Sequence, residues 1–306
     1  MLLYILRRLL WMAITLFGVS LVTFVLIFAG PVDPARALVG EKSQAATIEA
    51  LRKDLGLDQP VYIQYIRYMG RLLQGDLGKS FYFNQPVAKA LAEKLPATAA
   101  LGLSTAVLIV LLGIPLGAIA AMKSNTIMDR TIMVAGLLTI SLPNFFFGLL
   151  LMYLLAFKLD LFPVGGYGTI HHLFLPALSV ALPWSAWYAI MLRANMLDAI
   201  SADYVRTANA KGLAEYAVVT RHVLRNAILP VLTMLGMDTA ALLTGLALVE
   251  YIFSWPGIGW QTVQAAQHFD VPLIMGSVLF GAVLIGVANL LVDVLYTRLD
   301  PRVQLG

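Results

Sequence analysis

Six residues, GDLGKS at 75–80, come close to the pattern that cradles a nucleotide phosphate. A phosphate loop needs G-x-x-x-x-G-K-[ST] between a strand and a helix, and the place of its first glycine is taken by Leu73. No strand pattern precedes the stretch, and the chain has no other phosphate loop. Any ATP that drives this protein is therefore expected to be hydrolysed on another polypeptide. His171 and His172 adjoin, and His268 stands apart. Imidazole suits nickel and zinc, but no carboxylate sits at ligand spacing beside the pair. Solvated loop histidines are the expectation, with no metal bound. The 306 residues include no cysteine, which excludes disulfides, thiolate ligands and a cysteine nucleophile. The remaining hydroxyls, histidines and acids show no nucleophile–base spacing, which argues against an enzyme.

Other polar residues interrupt long apolar stretches. Asp238 and Asp293 do so, with Asn289 one helical turn before Asp293. Intramembrane carboxylates are costly and face a cavity or a partner. They fit a proton relay or a structural hydrogen bond, and the position of Asp293 near a span end favours the second. Ser141-Leu142-Pro143-Asn144 is a further interruption. Proline removes a backbone donor and frees a carbonyl. With Ser141 and Asn144 this puts polar groups on a substrate path or makes a structural kink, and the sequence leaves both open.

The longest polar passage of the second half runs from Asp203 to Pro230. It carries Arg206, Lys211, Arg221 and Arg225 against only Asp203 and Glu215. Asp203 is placed to cap a helix and to favour its start through the dipole. Gly212 is placed to end that helix in the left-handed conformation. A second helix is expected over 214–226, with Val218, Val219, Val223 and Leu224 on an apolar side. Such a loop can hold the chain's orientation, lie on anionic lipid, or dock a partner.

The elements that position these residues are membrane spans. The chain is 60% hydrophobic and 12% charged, against about half and a quarter in soluble domains. An uncharged run over about 9–30 reaches roughly 33 Å as a helix, enough to cross a bilayer. It exceeds a signal h-region of about 7–15 residues, so a retained span is expected. Five more apolar segments follow at about 96–122, 131–157, 173–192, 229–253 and 273–296, giving an all-α protein of six transmembrane helices. Trp184, Trp187, Trp255 and Trp260 fall near expected span ends, as an interfacial belt would. Arg7, Arg8, Lys123, Arg130, Arg193, the four basic loop residues, Arg298 and Arg302 share one side, which places both termini in the cytoplasm. Residues 31–95 form a small helical external subdomain. Thr47 is placed as an N-cap before Ala50, Leu51, Leu55 and Leu57, and Tyr62, Tyr65, Ile66 and Met69 recur at helical spacing ahead of Gly70. Gly75 and Gly78 mark a turn. The domains are thus a first helix (1–30), the external subdomain (31–95), a transmembrane core (96–297) with a cytoplasmic loop at 194–228, and a tail (298–306).

Taken together, YILRRLL, LGLDQPVYIQY, GDLGKSF, LPAT (95–98), SLPNFFFGLLL, FPVGG, DYVRTANAKGL, RHVLRNAILPVLT, VEYIFSWPGIG, NLLVDVLY and LDPRV cover nearly the whole chain. They resemble the permease subunits of ABC-type dipeptide, oligopeptide and nickel importers. The resemblance implies the type I importer architecture and an inner-membrane location. It implies a second homologous permease in a heterodimer, two cytoplasmic ATPases that bind ATP and Mg, and an external substrate-binding protein. It assigns ATPase coupling to Asp203, Tyr204, Arg206, Thr207, Ala208, Lys211, Gly212 and Leu213. Arg206 stands where the general coupling motif has glutamate, and the stretch from Gly212 to Pro230 is longer, as in peptide-type permeases. The implied function is peptide import by alternating access, with nickel or a nickel chelate as alternative cargo. Ser141, Asn144, Asp238 and Asn289 are candidates for the translocation path. An ion-coupled secondary transporter using Asp238 or Asp293 is the reading from another class.

Overall fold

The computed structural model describes the backbone of residues 2–28, 49, 52–53, 58–244 and 246–299. The expected N-cap Thr47, with Ala50, Leu51, Leu55 and Leu57, lies outside the described residues. Regular structure among the described residues is helical, apart from one bridge between Lys79 and Pro86. Among the described residues, four helices are long and apolar enough to span a bilayer: α1 (Leu2–Phe28), α3 (Val87–Met122), α6 (Ile170–Ser201) and α12 (Val271–Leu299). A fifth span arises if α4 (Ile127–Ile140) and α5 (Asn144–Leu151), whose last turns widen to π geometry over Met152–Lys158, count as one. The two are bent by 101° at their break. Pro143 accounts for the bend: it takes extended geometry (φ −62°, ψ 146°) and brings no N–H to continue α4.

The stretch expected as one span at 229–253 is divided. Helix α9 (Leu224–Leu242) ends, and α10 (Ala247–Ile252) begins after a break. Shorter helices among the described residues are α2 (Val61–Leu73), α7 (Asp203–Ala210), α8 (Glu215–Val218) and α11 (Ile258–Gln267).

The chain forms two compact units. The first comprises 1–98, 243–251 and 256–306, and the second 99–242 with 252–255. In the first, α2 lays Tyr68, Tyr65, Met69 and Leu72 against Phe24 of α1 and Met275 and Leu279 of α12. The Tyr65 hydroxyl and Ser20 Oγ share a hydrogen bond of 2.8 Å. The expected stripe is thus rotated: Tyr62 and Ile66 are 66% and 64% exposed, and Tyr68 takes their place. Gly70 lies inside α2, and the chain turns at Gly75 and Gly78 with φ of +80° and +83°.

In the second unit α6 is the hub, with a nearly continuous buried run from Leu175 to Leu192. Gly113 and Gly117 of α3 face it. A Cβ at Gly113 would lie 2.9 Å from the Ser185 carbonyl oxygen, and one at Gly117 2.7 Å from that of Ala189. Two glycines four apart thus let two spans approach to backbone contact. The tryptophan belt is only partly there. Trp184 and Trp187 sit in the middle of α6, and Trp255 is buried against Tyr167, ring centroids 4.8 Å apart.

Candidate functional site

Helix α7 follows α6 with only Ala202 between them. Ala202 is the N-cap, so Asp203 is the first helical residue and makes no capping hydrogen bond. Its contribution is first-turn negative charge and an ion pair to Arg206 at 3.5 Å, both side chains largely in solvent. Val205 and Ala208 are buried, while Tyr204, Arg206, Thr207, Asn209 and Lys211 face outward. Gly212, at φ +75°, ends the helix as expected. Its N–H donates to Asn209 O (2.9 Å), and the Leu213 N–H donates to Ala208 O (3.4 Å). This pair of bonds satisfies carbonyls that a helix end otherwise leaves orphaned. The result is a two-turn helix pinned by one face, with a sharp glycine stop and a polar outer face.

The second helix of the loop does not stop at Asn226. It starts at Glu215, widens to π geometry over Val219–Val223, and runs on as α9 through Pro230 to Leu242. Val218 and Val223 are buried, so much of the apolar side is consumed by packing. Asn195 of α6 donates from Nδ2 to the Ala227 carbonyl at 3.3 Å. The loop is therefore braced by α6 and by the start of α9.

Sequence reasoning missed a pair that joins two helices of the second unit. Asp129 of α4 accepts from Arg193 Nε (2.6 Å) and Nη2 (2.7 Å) and from the Asn125 N–H (2.8 Å). Asp129 is 3% exposed. Two parallel N–H···O contacts fix angle as well as distance. The sequence alone marks Arg193 only as a topological charge.

The four candidate path residues do not converge on a common hydrogen bond. Ser141 donates to Leu137 O (2.8 Å), closing off the end of α4, and Asn144 opens α5. Asp238 is half-buried and accepts from the Tyr188 hydroxyl at 2.5 Å. Asn289 lies on α12 in the first unit, and the other three lie in the second. The Asp293 side chain lies outside the described residues.

A further missed residue is Glu250, which is wholly buried. Its carboxyl accepts from Thr98 Oγ1 (2.9 Å) and from the Trp260 N–H (2.9 Å), and Thr98 Oγ1 accepts from the Ile258 N–H (2.8 Å). Together they cap α11, whose first N–H groups have no helical partner. Gly257 and Gly259 make room. A Cβ at Gly257 would lie 2.4 Å from Glu250 Oε2, and one at Gly259 would lie 2.6 Å from Ala247 Cα. The signal available in the sequence was an acid inside the apolar stretch expected as a span at 229–253.

The near-phosphate motif has a structural use. Ser80 Oγ donates to Asp270 Oδ2 (2.5 Å), and the Tyr82 N–H donates to the same oxygen (3.1 Å). His268 stacks on Tyr82 with centroids 3.8 Å apart, and His172 Nδ1 contacts Thr169 Oγ1 at 2.8 Å. Among the described residues, no three histidine or acidic side chains are grouped to hold a metal ion.

Residues 113–305 match the family described as "Binding-protein-dependent transport system inner membrane component", and residues 1–102 match its N-terminal companion. The chain is 38% identical to the oligopeptide transport system permease protein AppB of Bacillus subtilis, over 98% of this chain and 99% of that one. It is 39% identical to the glutathione transport system permease protein GsiC of Escherichia coli O6:H1, over 99% of each. Among solved structures it resembles one titled "Crystal structure of an amino acid ABC transporter with histidines". That likeness has a TM-score of 0.54 and 18% identity, covering 69% of this chain and 94% of that one. At that identity it shows the fold alone.

Proposed function

This chain belongs to the family of binding-protein-dependent transport system inner membrane components, and from that premise we propose that it carries peptides across the membrane in an ATP-driven importer. It is a multi-pass membrane permease subunit. Support for peptide cargo comes from relatives named for oligopeptide and glutathione transport, similar over their whole lengths. Nickel cargo has no comparable support.

The mechanism follows from α7. A short helix, anchored by Val205 and Ala208 and stopped by Gly212, presents Tyr204, Arg206, Thr207, Lys211 and Leu213 as a docking face. Two cytoplasmic ATPases, holding ATP and Mg, engage this face here and on a second, homologous permease in a heterodimer. Both termini lie in the cytoplasm. Closure of the ATPases moves α7, and the spans alternate between outward-open and inward-open states. An external binding protein delivers the peptide, and this chain itself performs no hydrolysis. Ser141, Asn144, Asp238 and Asn289 supply polar groups to the path.

The observation that carries the coupling role is the pinned, glycine-stopped α7. The test is reconstitution in proteoliposomes with the partner subunits and a binding protein, using labelled glutathione and tri-alanine as probes. Uptake should require ATP and should collapse in Gly212→Val, with the permease still assembled. Uptake that proceeds without ATP, or that ignores changes in α7, would refute the reading.

A further inference from the structure

We propose that the Asp129–Arg193 pair is a mechanical strut that makes the kinked pair α4–α5 follow α6, the helix that carries α7. The inference rests on the reading of α7 as the docking helix. Helices α4 and α6 pack against each other, and two of their contacts bracket the packed stretch. Asp129 meets Arg193, and seven residues on, Gly136 meets Ala186, seven residues back; a Cβ at Gly136 would lie 3.5 Å from that of Ala186. Seven residues are two turns, so the attachments are about 10 Å apart along each helix and the two helices run antiparallel. A single contact would act as a pivot, whereas two contacts so spaced resist both sliding and rotation. From Arg193, α6 continues about 12 Å to its end at Ser201, and α7 begins after Ala202. A displacement delivered to α7 thus enters α6, and the forked bond passes it to the first turn of α4.

At its other end α4 meets the 101° break before α5. Pro143 donates no hydrogen bond there, so this is where the assembly can yield. The guanidinium fork suits this use: it fixes orientation as well as separation, which a lysine's point charge does not. Burial of Asp129 limits screening by salt. The Asn125 N–H, at φ +63° in the turn before α4, adds a third bond that holds the carboxylate in place.

The chain has no cysteine, so Leu142→Cys, at the break and 40% exposed, provides the one thiol of this subunit, whose labelling is read on its own band after electrophoresis. In the complete importer in lipid nanodiscs, its labelling rate with a maleimide is measured before and after trapping with ATP and vanadate, alongside ATP hydrolysis. With the native pair, trapping is expected to change the rate about tenfold, in the range of ordinary coupling between sites. In Arg193→Lys, which keeps both charges but loses the fork, and in Asp129→Asn, the ATPases should still co-purify and hydrolyse ATP while the change falls below about twofold. Full-sized changes in both variants overturn the strut, as does an unchanged rate with the native pair. Failure of both variants to assemble also overturns it, because the pair is then needed to build the fold rather than to transmit motion. If Asp129→Asn alone fails to assemble, Arg193→Lys decides. Failure of the underlying reading shows separately, as ATPases that co-purify and respond normally when Ala208 and Gly212 are altered.

Discussion

Asp129 and Glu250 are both buried carboxylic side chains at the start of helices, and they are held in opposite ways. Asp129 is met by a cation, with Arg193 reaching it from another helix. Glu250 is met by a threonine hydroxyl and backbone N–H groups at the start of α11, a site opened by two glycines. An ion pair between side chains of two helices passes a movement of one helix to the other. A carboxyl set into a helix N-terminus is fixed to the backbone on one oxygen, and here by a threonine hydroxyl on the other. The first arrangement suits an attachment between moving spans, and the second a corner that stays rigid.

If that contrast holds, Glu250→Ala should have the largest effect of any single change considered. It leaves the Thr98 hydroxyl and the Trp260 N–H buried without their acceptor, at about 1–3 kcal/mol for each orphaned donor. The expected result is a permease that does not accumulate as a folded species, read by size-exclusion chromatography of the detergent extract. Glu250→Gln sharpens the test, since it keeps the shape but turns an NH₂ donor or loses an acceptor among N–H groups. It should lower Tm clearly yet leave folded protein, and a Tm equal to the native one would remove the cap from the account.

Asp129→Ala comes next. Stranding one member of a buried pair costs about 3–5 kcal/mol. Arg193 retains 24% side-chain exposure and can turn to water, so the loss should fall at or below the lower bound of that range. The expected signature is a smaller drop in Tm than for Glu250→Ala, accompanied by loss of transport out of proportion to it. A transport loss that merely tracked the Tm would reduce Asp129 to the same kind of residue as Glu250.

The same contrast explains what the sequence could and could not reveal. Most of the spans, the helix over Val61–Leu73 and the glycine stop at Gly212 were legible because each is local: apolar length, helical spacing and a glycine at a helix end are written in consecutive residues. The division of the expected 229–253 span was not, since its apolar composition runs on across the break between Leu242 and Ala247. Asp129 and Arg193 are 64 positions apart, and Thr98 and Glu250 are 152 apart. Nothing local marks them as partners, so Arg193 read as a topology signal and Glu250 went unremarked. Asp203 failed differently: it has the right residue type for a cap but sits one position late, after Ala202.

Gly212→Ala should cost less than either buried change. Its φ of +75° strains any residue with a Cβ, at about 1 kcal/mol, but nothing lies within 4 Å of the added methyl. The global Tm should barely move, while the turn after α7 loosens, seen as faster amide exchange at Lys211 to Leu213. A measurable fall in ATPase co-purification with an unmoved Tm would separate docking from stability at this position.

The smallest structural effect belongs to Asp203 and Arg206, whose ion pair is the surface counterpart of Asp129–Arg193. The charges are of the same kind, but the side chains are 97% and 77% exposed and the contact is a single 3.5 Å approach. Such pairs contribute little, because solvent screens them and two long side chains must be ordered to make them. Arg206→Ala should therefore leave Tm within experimental error at any salt concentration. Arg206→Glu should do the same, yet weaken ATPase binding if α7 docks as proposed, and salt should shrink that difference because the charge acts across an exposed face. A Tm shift in Arg206→Ala comparable to that of Asp129→Ala would mean that α7 is held by its surface charges. Its anchoring would then no longer rest on Val205 and Ala208, and the distinction between a displayed helix and a buried strut would fail.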